Sequence, residues 1–236
     1  MPVATYVMSD IHGEYRRYLL MLEKIGFKPA DTLFVVGDVV DRGPEPVTLL
    51  RDMMERSNVF PIMGNHDLIA YYNLKNLCRE VTEDLLDTAL GPEEMNSLID
   101  WIHEGGQTTI EGFQKLDRQQ RADVLDYIHS FTLYEAIDVG ERTFVLVHAG
   151  LGNFRPDKKL REYALTELLE DRLDPERQYF DDPNVVLVVG HTPTPYFWGK
   201  PQIYHSHNNI CIDCGACAPN GRLACLCLET MEEFYI

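Results

Sequence analysis

The sequence has no uninterrupted apolar run approaching the roughly 18 residues that a membrane-crossing helix requires. Residues 1–10 carry neither a basic segment nor a small-residue cleavage pattern, so no secretory leader is read there. Both absences predict a cytoplasmic protein without a membrane partner. Basic side chains are scarce: 21 Lys and Arg face 38 Asp and Glu, a net charge of −17. Such a chain repels a phosphate backbone, which argues against a nucleic-acid binder with the usual basic face. An anionic substrate would then need a local positive centre, and bound cations supply one. Internal repeats and low-complexity linkers are also missing. Cysteine is sparse along most of the chain, five of the six lying between Cys211 and Cys227. Without a leader, that cluster reads as reduced thiols rather than a disulfide framework.

What is present fits a single domain over 1–236. Apolar residues make up 45% and charged residues 25%, enough for a sizeable core. One unit recurs: a short apolar run of β type, then a turn bearing side chains that can hold metal. Thr5–Met8 leads to Asp10 and His12, Thr32–Val36 to Asp38, and 59–63 to Asn65 and His66. Further on, 143–147 leads to His148, Val185–Val189 to His191, and the shorter 210–212 to Asp213. Such runs predict buried strands. Between them, Tyr15–Ile25 spaces Tyr15, Tyr18, Leu19, Leu22 and Ile25 as one helical face, and 45–56 offers proline at a helix start. Alternating strands and helices predict an α/β sandwich, with ligands beyond the carboxyl ends of the strands. The span 68–138 differs. Its pattern is mostly helical, over 68–81, 82–89, 92–103 and 118–129, and it is interrupted at Gly105-Gly106. It reads as a helical insertion that roofs the site.

The turns carry the chemistry. In Asp10-Ile11-His12-Gly13, residues i and i+2 of an extended segment face one way, so Asp10 and His12 can address one cation. In Gly37-Asp38-Val39-Val40-Asp41-Arg42-Gly43, an Asp just past a buried strand can bridge two metals. Arg42 offers a planar fork suited to phosphate, and Asp41 can orient a neighbouring imidazole. A surface Asp–Arg ion pair after a turn is the competing account, and the string favours function over it. In Gly64-Asn65-His66-Asp67, the Asn oxygen is a neutral hard ligand, while His66 points elsewhere and is free to act as an acid. Gly and Asn also suit an ordinary turn. His148-Ala149-Gly150 and Gly190-His191-Thr192 each place a His after a buried strand, where a His satisfied by a backbone carbonyl competes with a ligand. Four of the eight histidines fall at such turns, and the coincidence of five elements favours a metal site.

Taken in order, these five elements resemble the phosphoprotein phosphatase family of metallophosphoesterases. Within it they are most similar to the short bacterial serine/threonine phosphatases that resemble the phage lambda enzyme. The likeness runs from Asp10 to about Gly215. It implies two mixed β-sheets packed together and flanked by helices. It also implies a metal-dependent phosphomonoesterase, a serine/threonine or dual-specificity protein phosphatase in which two divalent ions activate water. Asp10, His12 and Asp38 would hold one metal. Asp38 would bridge to a second, which also takes Asn65, His148 and His191. His66 would be the acid, Asp41 its partner and Arg42 a phosphate clamp. A second clamp is expected at Arg172, with Arg161 the alternative. Manganese is the metal implied, and Fe, Zn or Ni also suit the mixed donors. The implied substrates are phosphoproteins or small phosphate esters. Two positions depart from the family: Ser9 replaces its usual Gly, and Cys214 interrupts its Ile-Asp-Thr-Gly stretch.

Other readings stand beside this one. A symmetric diadenosine-tetraphosphate hydrolase shares the fold and most motifs, although the resemblance implies no Asp in those enzymes at the place of Asp41. A nuclease or phosphodiesterase of the wider group would carry Gly-His-X-His, where this chain has Pro193. From another class, Cys211, Cys214, Cys217, Cys225 and Cys227 are spaced like a zinc-ribbon interaction module. Cys225 and Cys227 alternate in a strand-like stretch over 222–228, which favours buried thiols. His205 and His207 read as a partly exposed strand, and Trp101 as core of the insertion.

Overall fold

The computed structural model describes residues 3–78 and 91–236. Among them, the first strands are β1 (Thr5–Met8), β2 (Thr32–Val36), β3 (Val59–Ile62), β4 (Tyr134–Val139) and β5 (Arg142–Val147). The rest are β6 (Val185–Val189), β7 (Tyr204–Ser206), β8 (Asn209–Cys211), β9 (Ala224–Cys227) and β10 (Glu233–Tyr235). They form two five-stranded sheets, ordered β10-β9-β1-β2-β3 and β4-β5-β6-β8-β7. Each has a parallel heart, β1-β2-β3 in one and β5-β6-β8 in the other, with antiparallel strands outside it.

The strands are near-continuous apolar runs because both faces of each sheet are covered. Val7, Phe34, Val36 and Ile62 meet Phe144, Leu146, Val186 and Val188 in the core between the sheets. The alternate residues Tyr6, Met8, Leu33 and Val35 face outward into a second core. That core is shared with helices α1 (Tyr15–Ile25) and α2 (Pro46–Met54), through Tyr18, Met21, Leu50 and Met53. The two-sheet α/β sandwich expected from the sequence is therefore present. Helix α2 starts on Pro46, whose missing N–H is no loss in a first turn.

Between β3 and β4 run α3 (Asn65–Leu77), α4 (Pro92–Trp101), α5 (Gln107–Gln114) and α6 (Arg118–His129). Asp117 and Gln120 cap α6 reciprocally, each side chain accepting the other's backbone N–H. Several expected boundaries move. Strand β3 stops at Ile62 because the Met63 N–H turns to the Thr132 carbonyl at 2.7 Å. Helix α3 begins as early as Asn65. The helix expected over 82–89 lies outside the described residues, as does the end of 68–81. Helix α4 gives way at Trp101 to a widened turn, Ile102–Gly106, in which Gly105 takes φ 110°. The last residues of 68–138 belong to β4, whose half-exposed alternation gave a weak strand signal.

The C-terminal third adds α7 (Leu165–Leu169) and α8 (Thr194–Trp198). Cys211 and the pair Cys225 and Cys227 are built into β8 and β9, and with Cys214 they are buried. Among the described residues no three thiols converge, which removes the zinc-ribbon reading. Burial pushes the Cys211 and Cys214 thiols up to about 12. Among the described residues no helix is long and apolar enough to cross a membrane.

Candidate metal centre

The carboxyl ends of β1, β2, β3, β5 and β6 meet at one rim, and each delivers the side chains expected of it. Aiming them takes unusual backbone. Among the described residues, ten non-glycine residues have positive φ, and six of them are Asp10, His12, Asp38, Asp41, Arg42 and His191, so the strain is concentrated at this rim. Cross-loop hydrogen bonds hold it there. Asp10 N–H donates to Gly37 O at 3.0 Å, His12 N–H to Asp38 O at 2.9 Å, and Gly43 N–H to His12 O at 2.9 Å. The Asp67 carboxylate accepts from the N–H groups of Val39, Val40 and Gly64, which ties the β2 loop to the start of α3.

Two glycines leave room for carboxylates. A Cβ on Gly64 would sit 2.2 Å from Asp38 Oδ1, and one on Gly190 would sit 2.1 Å from Asp10 Oδ2. No side chain can replace hydrogen at either place without displacing the carboxylate.

Two compact groups share Asp38. One joins it to His12 and His66, the other to His148 and His191, with donor atoms within 4.8 Å of one another. Asn65 Oδ1 joins the second group, 3.0 Å from His148 Nε2 and 3.1 Å from His191 Nδ1. Asp10 stands at the edge of both. Its two oxygens accept the His191 backbone N–H at 3.1 and 3.0 Å.

These donors fit divalent cations. His12 Nδ1 is 2.8 Å from Val40 O, and His148 Nδ1 is 3.0 Å from Val36 O. A carbonyl only accepts, so each Nδ1 carries the proton and each Nε2 of the neutral ring presents a lone pair. The His148 lone pair faces Asn65 Oδ1 and, at 3.4 Å, Asp38 Oδ1. Three acceptors pointed at one another are satisfied by a cation between them. Burial keeps the rings neutral: it pulls His12 down to about 3. His191 falls to about 4, through burial first and then the charges of His148 and Arg172. Burial would raise Asp38, but the surrounding imidazoles hold it well below the usual carboxylate range. Asp10 goes the other way, raised by burial and by the charges of Asp213 and Asp38.

His66 has a different environment. Its Nδ1 donates to Asp41 Oδ2 at 2.8 Å. Burial works against its protonation, but the Asp41 hydrogen bond and the charge of Asp38 outweigh it and raise its pKa. Asp41 is fully buried and also accepts from Trp101 Nε1 at 2.7 Å and Thr109 Oγ1 at 2.6 Å. Arg42 donates to His12 Nε2 and His66 Nε2, each at 2.7 Å, so its fork lies across both imidazoles. Its backbone N–H donates to Gly105 O at 3.0 Å, and a Cβ on Gly105 would meet Arg42 Cγ at 2.8 Å. Gly105 is thus a close-approach glycine against the Arg42 loop.

Arg172 follows α7. The loop after His148 packs on that segment through Ala149 N–H to Leu168 O, 2.9 Å, and Gly152 N–H to Glu167 O, 2.9 Å. The charge of Arg172 acts on His191, whereas Arg161 sits on the exposed turn Leu160–Glu162. Sequence reasoning missed Trp101 and Thr109 as partners of Asp41. A glycine pair followed by Gln107-Thr108-Thr109 was the one local signal.

A family model described as calcineurin-like phosphoesterase matches residues 4–216. The symmetrical bis(5'-nucleosyl)-tetraphosphatase of Nitrosomonas europaea is 36% identical, over 99% of this chain and 98% of that protein. Among solved structures, a candidate diadenosine tetraphosphatase shares the fold with a TM-score of 0.67 and 18% identity, over 99% of this chain and 93% of that one. A serine/threonine phosphatase from Saccharomyces cerevisiae also shares it, with a TM-score of 0.57 and 16% identity, over 95% of this chain and 72% of that one. The lambda-like branch expected from the motifs is therefore narrower than these relatives support.

Proposed function

This chain belongs to the calcineurin-like phosphoesterase family, hydrolases of phosphate esters, and from that premise we propose that it cleaves dinucleoside polyphosphates symmetrically. The observation that carries the reading is the match to the Nitrosomonas europaea tetraphosphatase. It runs nearly end to end in both chains, so the segment between β3 and β4 and the loop after β6 are included. This puts the tetraphosphate ahead of the phosphoprotein substrate expected from the motifs.

Asp10, His12 and Asp38 would hold one divalent ion, and Asp38, Asn65, His148 and His191 a second, with manganese the first metal to test. When bound, such ions neutralise phosphate charge and lower the pKa of water. The chain's own groups supply the rest. The Arg42 fork, which donates to His12 and His66 here, would turn to phosphate oxygens once the His12 lone pair is given to metal. Arg172 brings a second guanidinium to the His191 side. His66, oriented by Asp41 through Nδ1–H, would first take up a proton at Nε2, where Arg42 now donates, and then hand it to a leaving oxygen. The helices between β3 and β4 roof the site in this reading.

The test is product analysis with the metal-reconstituted chain and diadenosine tetraphosphate. ADP as sole product supports the proposal. AMP with ATP, or no turnover, rejects it. A second reading, a monoesterase for alkyl phosphates such as phosphoserine, is favoured by the Asp41–His66 hydrogen bond. An alkoxide leaving group needs a proton, whereas ADP is a far weaker base and does not. Phosphopeptides turned over faster than the tetraphosphate, in the same assay, would put this second reading first.

A further inference from the structure

The wall beyond His191 carries aromatic surface that neither the metal donors nor the acid pair uses. Helix α8 starts three residues after His191. Its first residue, Thr194, is buried, yet Tyr196 is 75% exposed and Phe197 41%. Phe197 and Arg172 line one cavity of about 220 Å³ with Leu173, Val189, Gly190 and Thr192. Gly190 and Thr192 flank His191 in the chain, so the cavity lies next to that donor's backbone, although no candidate metal donor lines it. Apart from Arg172 its lining is mostly apolar.

Phe197 is braced. Tyr204 stands edge-on to it, with centroids 5.4 Å apart and planes at 90°. Tyr204 also contacts the Trp198 ring at 5.3 Å, and its hydroxyl donates to Glu176 at 2.5 Å. An exposed aromatic held in one orientation beside a cation offers a stacking surface. On a chain with net charge −17, an acidic ligand gains little from the surface at large. Grip away from the metals has to come from an uncharged plane and a well-placed guanidinium. A nucleotide presents the matching pair, a flat base and phosphates.

We propose that this cavity is a nucleoside subsite, in which Phe197 stacks on a base and Arg172 meets the attached phosphates. The inference rests on the dinucleoside polyphosphate reading and names the part of the chain that recognises the nucleoside. It separates nucleotides from bare polyphosphate, which offers Phe197 nothing.

The experiment uses the metal-loaded full chain and its variants Phe197→Ala, Phe197→Leu and Phe197→Trp. It measures KM and kcat for diadenosine tetraphosphate, with Ki for ADP and for inorganic tripolyphosphate. Stacking predicts that KM and the ADP Ki rise about ten-fold in the Ala and Leu variants. The Trp variant should recover wild-type values, and kcat and the tripolyphosphate Ki should hold in all three. Unchanged KM and ADP Ki would overturn the subsite while leaving the tetraphosphatase reading intact. An equal rise for tripolyphosphate would also overturn it, as general damage. No turnover of the tetraphosphate by the wild-type chain would sink that reading, and the subsite with it.

Discussion

Trp101 Nε1 donates to Oδ2 of Asp41 at 2.7 Å, the same oxygen that accepts from His66 Nδ1 at 2.8 Å. A helix from the segment between β3 and β4 therefore touches the proposed acid pair directly. Trp101→Phe keeps most of the ring volume and removes the donor. Urea unfolding should show a loss of about 1–3 kcal/mol, since a buried carboxylate is left short of a partner. Turnover of an alkyl phosphate should fall several-fold while that of dinitrophenyl phosphate holds. Equal losses on both substrates would assign the indole to the fold alone.

Removing the proposed acid should discriminate more sharply. His66→Asn is expected to cost about 100-fold or more on alkyl phosphates. Aryl phosphates and diadenosine tetraphosphate have leaving groups that need less protonation and should lose much less. A uniform loss across all three would end the acid assignment.

Asp38 is the one carboxylate common to both compact groups of donors. Asp38→Asn should therefore lose bound metal and turnover together, measured by elemental analysis and by kinetics on the same sample. Full activity in that variant would end the two-metal proposal.

The carboxylates also set a pH dependence for metal-free protein. Burial, with the charge of Asp38, raises Asp67 and Asp213 to about 7, and Asp10 is raised as well. An unfolded aspartate titrates near 4, so between about 4 and 7 the native state binds more protons and stability falls as pH rises. His12 and His191 work oppositely. Their folded values of about 3 and about 4 lie below the unfolded imidazole, so their contribution is lost on acidification below roughly 6.5. The three raised carboxylates outweigh the two depressed imidazoles, so chelated protein should lose stability as pH rises from about 5 to about 7. Divalent metal should restore most at the alkaline end. A melting temperature that keeps rising to about pH 8 without metal would contradict the carboxylate assignment.

Much of this site was legible in the sequence, for a physical reason. A parallel strand buried on both faces is a continuous apolar run, and the donor must lie just past its end. Asp10, Asp38, Asn65, His148 and His191 all obey that rule. Asp10 nevertheless falls outside the two compact groups, and its oxygens accept the His191 N–H. Position along the chain cannot reveal such an engagement. Trp101 and Thr109 were illegible as partners of Asp41, since they lie 60 and 68 residues away and hydrogen-bonding indoles have no characteristic spacing. The short edge strand β10 and the five-residue α8 fell below any periodic signal. The cysteines show the converse: Cys211, Cys225 and Cys227 lie in strands and Cys214 is buried in the loop after β8, so a spacing suggestive of metal arose from burial.

The donors do not come from one sheet. Asp10, His12, Asp38 and Asn65 follow strands of the first, while His148 and His191 follow strands of the second. Any ion they share would rivet two halves that otherwise meet through apolar contact and a few hydrogen bonds, such as His148 to Val36 and His191 to Asp10. Prying the sheets apart would then require breaking coordination first, so the lifetime of the native chain against a protease would lengthen with metal supply. In a cell starved of that metal, the same chain would become short-lived before it became merely inactive.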